Sequence, residues 1–213
     1  MNTRLTLVAL VFAAFCIGTG SAGSLASGAW VTCGSVVKLQ HALTKHYLHS
    51  HEVAYGSGSG QQSVTAFPDS DDANSYWTIR PAVGKGCQQG QHIKNGDVIR
   101  LQHLSTKKWL HSHLHQSPLS GNQEVSGYGS QGQSDTGDNW ILETDKGSEW
   151  KKDGKVRFLH VDTGSYLGSH DMKFGRPIAG QQEVVAFRGG SKKKSSSEVM
   201  WTAGLGVYFE LQN

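Results

Sequence analysis

Proline is scarce in this chain, with 4 in 213 residues, and charged residues make up only 17%. Disordered chains are rich in proline and net charge, so this composition argues for a folded protein. No segment carries apolar residues at helical spacing, which turns the reading away from helical bundles. After residue 17 no stretch is long and apolar enough to cross a bilayer. The formal charge is only +3, and +2 once Arg4 leaves with the first segment, so bulk electrostatics point neither to nucleic acid nor to an anionic membrane. There is no Asn-X-Ser/Thr, so N-glycosylation is not expected. Gly-X-Ser-X-Gly, His-Glu-X-X-His and phosphate-gripping glycine loops are missing as well. That set of absences fits a binding module better than an enzyme, and neither cofactor nor metal is expected.

Cysteine is nearly absent too, and its positions depend on the N-terminus. Arg4 precedes an apolar run from Leu5 to Ile17 broken by Thr6, and small residues fill Gly18 to Ala29. This is the pattern of a secretory signal segment, residues 1–22. Cleavage after Ala22 puts Gly20 at the minus-three position; Ala26 is a second option, with the mature start as late as residue 29. The alternative, an uncleaved anchor, needs a longer run. Cys16 then leaves, and Cys33 and Cys87 remain, 54 residues apart in an oxidising compartment. They form a disulfide contributing about 3–4 kcal/mol by loop entropy, or stay as two buried thiols.

What the chain has is one phrase written three times. It reads LQHALTKHYLHSH from Leu39 to His51, LQHLSTKKWLHSH from Leu101 to His113, and LHVDTGSYLGSH from Leu159 to His170. A glycine–glutamine element follows each copy: GQQSV from Gly60, GNQEV from Gly121 and GQQEV from Gly180. Each unit then closes on a tryptophan, Trp77, Trp140 or Trp201, at spacings of 63 and 61 residues. Three copies at a period near 60 decide the architecture before local propensity does.

Within each unit the apolar alternation has period two, as in strands: Val37 and Leu39 fall on one face, Val36, Lys38 and Gln40 on the other. Four strands per unit make twelve, and no unit can bury its apolar face alone. Three units close on a pseudo-threefold axis and remove free sheet edges. The expected fold is an all-β, twelve-stranded β-trefoil over residues 33–209, with units near 33–86, 92–146 and 150–205. Leu48, Leu110 and Leu167 are the expected interior, with Trp77, Trp140 and Trp201 beside them. A small propeller or a split sandwich is the alternative.

Candidate chemistry gathers on the repeated phrase. Of eleven histidines, His49 with His51 and His111 with His113 and His115 alternate along strands and share a face. Three on one face can hold zinc; recurrence at matching positions on separate lobes points instead to a structural role. Gln62, Gln123 and Gln182 can read a ligand through their amides or sit in a turn whose glycine supplies a positive φ. Asp69, Asp71 and Asp72, and Asp135 with Asp138, lack the spacing of a calcium loop and read as polar turns. Lys192, Lys193 and Lys194 read as a solvated loop. Tyr55, Pro118, Leu119, Phe174, Pro177 and Ile178 fall in loops of the three units and are candidates to hold a partner, while Phe67 and Phe187 read as core. Trp109 beside His111 and Gln123 would suit a sugar ring.

The three units resemble MIR motifs. LHSHEVAYGSGSGQQSVTAF, DDANSYW, TKKWLHSHLHQSPLSGNQEVS and GQQEVVAF are more specific, and resemble the stromal cell-derived factor 2 family from Thr32 to Val207. The resemblance implies a β-trefoil of three MIR motifs without enzymatic activity. It also implies residence in the endoplasmic reticulum and partnership with a lumenal DnaJ-type co-chaperone and, through it, the lumenal Hsp70. Induction under folding stress and action on maturing secretory proteins are implied as well. The chain ends Phe209-Glu210-Leu211-Gln212-Asn213 without the HDEL-like signal of animal relatives, so the expected location is the lumen or the secreted fraction. Asn95 and Thr144 stand where animal relatives lead one to expect further cysteines. A lectin-like module of the secretory pathway that binds glycans is the second reading.

Overall fold

The computed structural model describes residues 29–130, 132–189 and 195–211. The signal segment expected over 1–22 and the lysines at 192–194 lie outside the described residues.

Each unit folds as four strands. The first contributes β1 (Val36–His41), β2 (Tyr47–Ala54), β3 (Gln62–Phe67) and β4 (Tyr76–Pro81). The second contributes β5 (Val98–His103), β6 (Trp109–Gln116), β7 (Gln123–Tyr128) and β8 (Trp140–Thr144). The third contributes β9 (Lys155–His160), β10 (Tyr166–Lys173), β11 (Gln182–Phe187) and β12 (Trp201–Val207). All pairings are antiparallel. β1 pairs with β4, β4 with β5, β5 with β8, β8 with β9, β9 with β12, and β12 returns to β1. Six strands thereby close a barrel that has no edge. The remaining strands form the hairpins β2–β3, β6–β7 and β10–β11, whose second strands pair with one another in a triangle over one end. This is the β-trefoil.

The barrel interior holds what the repeats mark. Leu48, Leu110, Leu167, Trp77, Trp140 and Trp201 are all fully buried. Each indole N–H donates to the leucine carbonyl of its own unit: Trp77 to Leu48 at 2.9 Å, Trp140 to Leu110 at 2.9 Å, Trp201 to Leu167 at 3.0 Å. The bond joins a barrel strand to a cap hairpin and leaves no buried indole donor unsatisfied at these three positions. The opposite end is closed by a ring of backbone bonds, Val31 to Trp150, Trp150 to Ile93 and Ile93 to Val31, at 2.8, 2.9 and 3.4 Å. Trp150 is fully buried there. It gave no signal in the sequence because it lies between the repeated phrases. Cys33 and Cys87 form a disulfide that ties this floor to the loop after β4. Where further cysteines were expected, the Asn95 Oδ1 accepts a bond from the Thr144 amide at 3.0 Å.

The turn after each first strand needs one left-handed residue. Lys45 (φ 63°) and Lys107 (φ 60°) supply it in the first two units, and Gly164 (φ 63°) in the third. The aspartate clusters are turns, as expected: Asp72 and Asp135 cap the short 3-10 turns Ala73–Ser75 and Thr136–Asp138, and Ser196 caps Ser197–Val199.

The units differ sharply at one position. His49 and His111 correspond to Gly168 in the third unit. A Cβ there would lie 2.1 Å from the Glu198 carbonyl oxygen and 2.7 Å from the Phe187 ring, so the backbone of the third unit has closed into the space the histidines occupy. Gly168→Ala is expected to lower stability by at least about 2 kcal/mol in chemical denaturation, even though it moves the sequence away from the rarer residue of the repeat. An unchanged midpoint would mean that the approach is not constrained.

Candidate functional site

The repeated histidines were expected to be structural or ligand-binding, and the structure separates them into three sets. One set ends the first strand of each unit. His41, His103 and His160 are buried, and each lies against a core tryptophan with ring centroids 4.8–5.0 Å apart. Each Nε2 faces a carbonyl of a 3-10 turn in the preceding unit around the axis: Glu198 at 2.9 Å, Asn74 at 2.8 Å and Gly137 at 2.8 Å. Each Nδ1 faces a threonine hydroxyl three residues on, Thr44, Thr106 or Thr163 at 2.9–3.0 Å. The Thr44 and Thr106 amides also point at Nδ1. A carbonyl on one nitrogen and an amide on the other fix a neutral ring protonated at Nε2. Burial pushes the His41 imidazole down to about 4 and lowers His103 and His160 as well.

The second set is the His-Ser-His phrase. Its serine is structural in every unit: Ser50, Ser112 and Ser169 donate to the carbonyls of Ser63, Glu124 and Glu183 at 2.7–2.9 Å. The histidine after it meets a buried carboxylate in two units. His113 Nε2 lies 2.9 Å from the Glu124 Oε1, and His170 Nε2 lies 2.9 Å from the Glu183 Oε2. Glu124 also holds the Ser59 amide at 3.2 Å and the Ser59 hydroxyl. Glu183 holds the amides of Leu119 at 2.8 Å and Ser120 at 3.1 Å. Each glutamate therefore pins the cap loop of the preceding unit. Burial alone would raise these carboxyls; the bonds from His113 and Ser59, and from His170, Ser120 and Leu119, outweigh it and hold both below their ordinary value. The first unit has Ser63 at this position, and its His51 lies beside Gln181 instead, at 3.4 Å.

The third set is the first histidine of the phrase. His49 Nδ1 faces the Thr65 hydroxyl at 3.2 Å and its Nε2 lies 3.4 Å from Asp72. His111 Nδ1 lies 2.9 Å from Asp138 and 3.6 Å from Asp135. Both rings are buried, and burial lowers the His49 imidazole.

Several expected contact residues face inward, and these placements are corrections. Tyr55 is buried because its hydroxyl donates to the carbonyls of Val64 and Val125 at 2.8 and 3.0 Å, tying two units at the cap. Trp109 is buried under the Arg100 guanidinium, 4.1 Å from the ring centroid. With His111 and Gln123 also buried, these three side chains offer no open platform for a sugar ring. Ile178 is buried as well. Phe174 is half-buried against Tyr55, with ring centroids 5.9 Å apart. Pro118 and Pro177 remain exposed, and Leu119 and Phe67 are half-buried, while Phe187 is core. Two exposed apolar groups on the cap hairpins were not foreseen: Leu114 on β6, 74% exposed, and Met172 on β10, 44% exposed. They sit on the outer ends of neighbouring cap hairpins, where a β-strand pattern alone does not tell outside from inside.

With this geometry in hand, comparison with known proteins is informative. The MIR domain family matches residues 49–199. A stromal cell-derived factor 2-like protein of Arabidopsis thaliana is 52% identical over 198 residues, covering 91% of this chain and 88% of that one. Human stromal cell-derived factor 2 is 46% identical, covering 91% of this chain and 89% of its own. The crystal structure of the SDF2-like protein from Arabidopsis thaliana superposes with a TM-score of 0.82 at 51% identity, covering 86% of this chain and 99% of that one.

The buried neutral histidines make stability depend on pH. In the unfolded chain an imidazole takes its proton near 6.5, whereas folded His41 does so near 4. Between those values the unfolded chain binds more protons, so stability is complete above the higher value and is lost as pH falls. Each pH unit between 6.5 and about 4 costs on the order of 1 kcal/mol through His41, and His103 and His160 act in the same direction. Glu124 and Glu183 act in the same direction at lower pH, below about 4.5. Thermal midpoints are expected to drop steadily from about pH 7 to pH 5; a flat profile would contradict the neutral, buried assignment.

Proposed function

The chain belongs to the stromal cell-derived factor 2 family, built on the MIR domain, and from that membership we propose that it is a non-enzymatic accessory component of protein folding and quality control in the endoplasmic reticulum. It works as an adaptor, holding a lumenal DnaJ-type co-chaperone and, through it, the lumenal Hsp70, and its abundance rises under folding stress. The N-terminal segment supports delivery to the secretory route, and no helix among the described residues is long and apolar enough to cross a membrane.

One observation carries the adaptor reading. The repeat histidines and glutamines that looked like ligand-reading groups are mostly turned into the fold, while Leu114 and Met172 stand out on the cap with Pro118 and Pro177 exposed in the loops beside them. Flexible apolar groups on a rigid hairpin rim suit contact with a protein surface. The lectin-like reading loses the site first suggested for it, because Arg100 covers Trp109.

Immobilised mature protein is expected to retain a DnaJ-type co-chaperone and Hsp70 from lumenal extract. Leu114→Asp combined with Met172→Asp should cut that recovery at least about tenfold, since both residues are exposed and tolerate polar substitution. Recovery of neither chaperone would remove the adaptor proposal, and undiminished recovery by the double variant would move the contact surface elsewhere.

A further inference from the structure

The second unit holds a group of side chains that neither of the others reproduces. His111, Asp135 and Asp138 bring three donor atoms within 4.8 Å of one another. The His111 Nδ1 lies 2.9 Å from the Asp138 Oδ1 and 3.6 Å from the Asp135 Oδ1. Donors about 2.1 Å from a tetrahedral zinc ion stand about 3.4 Å apart, and these separations bracket that value. Imidazole nitrogen and carboxylate oxygen are both established ligands of divalent zinc.

Comparison of the units shows that the fold does not require this set. The position of Asp138 is Ser75 in the first unit and Val199 in the third, and both are buried in the same 3-10 turn. The position of His111 is Gly168 in the third unit, and that of Asp135 is Ser196. A valine stands in the third turn, whereas Asp138 completes a capping box in the second with its side chain wholly buried. It is held by the Ser134 hydroxyl at 2.6 Å and the Asp135 amide at 3.1 Å, both on its other oxygen, Oδ2. Tyr128 packs on the His111 ring with centroids 4.5 Å apart and fixes its plane. Gly137 leaves the room the group needs: a Cβ there would lie 2.3 Å from the His111 Cε1 and 3.1 Å from the Asp135 Oδ1. His111 and Asp135 line a pocket of about 400 Å³ together with His113, Thr136 and Asp162, with Asp138 behind them, so solvent can supply further ligands.

We propose that His111, Asp135 and Asp138 form a divalent transition-metal site, of the kind that takes zinc, on the second unit alone. To ligate, His111 presents its Nδ1 lone pair, so a proton shared between Nδ1 and Asp138 leaves that nitrogen, for Nε2 or for solvent. Asp138 and His111 hold the ion from the buried side, and Asp135, half-exposed, closes on it from the solvent side.

Untagged mature protein stripped with a chelator is the material for the test, with zinc titrated calorimetrically and cobalt followed by its visible spectrum. One zinc per chain is expected, with cobalt giving the absorption of a low-symmetry site. Asp135→Asn keeps the turn, because asparagine caps as well as aspartate, and should weaken zinc at least about tenfold with no change in the metal-free thermal midpoint. Asp138→Val, the residue the third unit carries, should abolish binding. Absence of saturable binding in the wild-type chain would overturn the proposal, leaving a His–Asp pair only. Equal binding by both variants would overturn it too, because the ion would then sit on other histidines.

Discussion

Three indole N–H groups, each donating to a leucine carbonyl of its own unit, hold the two halves of every repeat in register. The tryptophan stands on a barrel strand and the leucine on a cap hairpin. The bond therefore couples the closed barrel to the triangle above it. Both partners are buried, so loss of one leaves the other unsatisfied. The rest is arranged around this contact. A neutral histidine packs at a tilt against each indole and reaches to the 3-10 turn of the preceding unit, which links neighbours around the axis as the tryptophan links barrel to cap.

Much of this was legible in the sequence, for a physical reason. Leu48, Leu110 and Leu167 repeat because three chemically equal environments around one axis demand the same side chain. The barrel, the core tryptophans and the turn character of the aspartates followed from that repetition. Orientation was less legible. His-Ser-His alternates along a strand, yet His111 is buried while His113 is half-buried at its rim. Which side of a strand faces the core depends on where the hairpin bends, and register shifts beyond Ser50, Ser112 and Ser169 make that bend. Tyr55 misled for a similar reason: a tyrosine in a glycine-rich loop reads as a surface group, but its hydroxyl finds two carbonyls at the cap. The exchange of Ser63 for Glu124 and Glu183 is visible in the sequence, but its meaning rests on His113 and His170 reaching across the hairpin.

Repetition sets the scaffold, and departures from it mark where this chain is free to do something particular. Two glutamates pin two cap loops, while the third loop, with Phe174 and Ile178, packs through Tyr55 instead. The second unit concentrates the exceptions: the His111 cluster, Leu114 on the rim and Arg100 over Trp109. A module with structural groups in threefold register and distinctive groups on one flank is suited to presenting one face to a partner while the other faces maintain the fold.

The three tryptophan bonds are equivalent and belong to one cooperative unit. Denaturant unfolding of Trp77→Phe, Trp140→Phe and Trp201→Phe measures this directly. A single transition is expected in each, weakened by about 2–3 kcal/mol at all three positions, since each change orphans one buried carbonyl and trims one fully packed ring. A variant that unfolds in two steps, or one position that costs nothing while the others cost several kcal/mol, would contradict it.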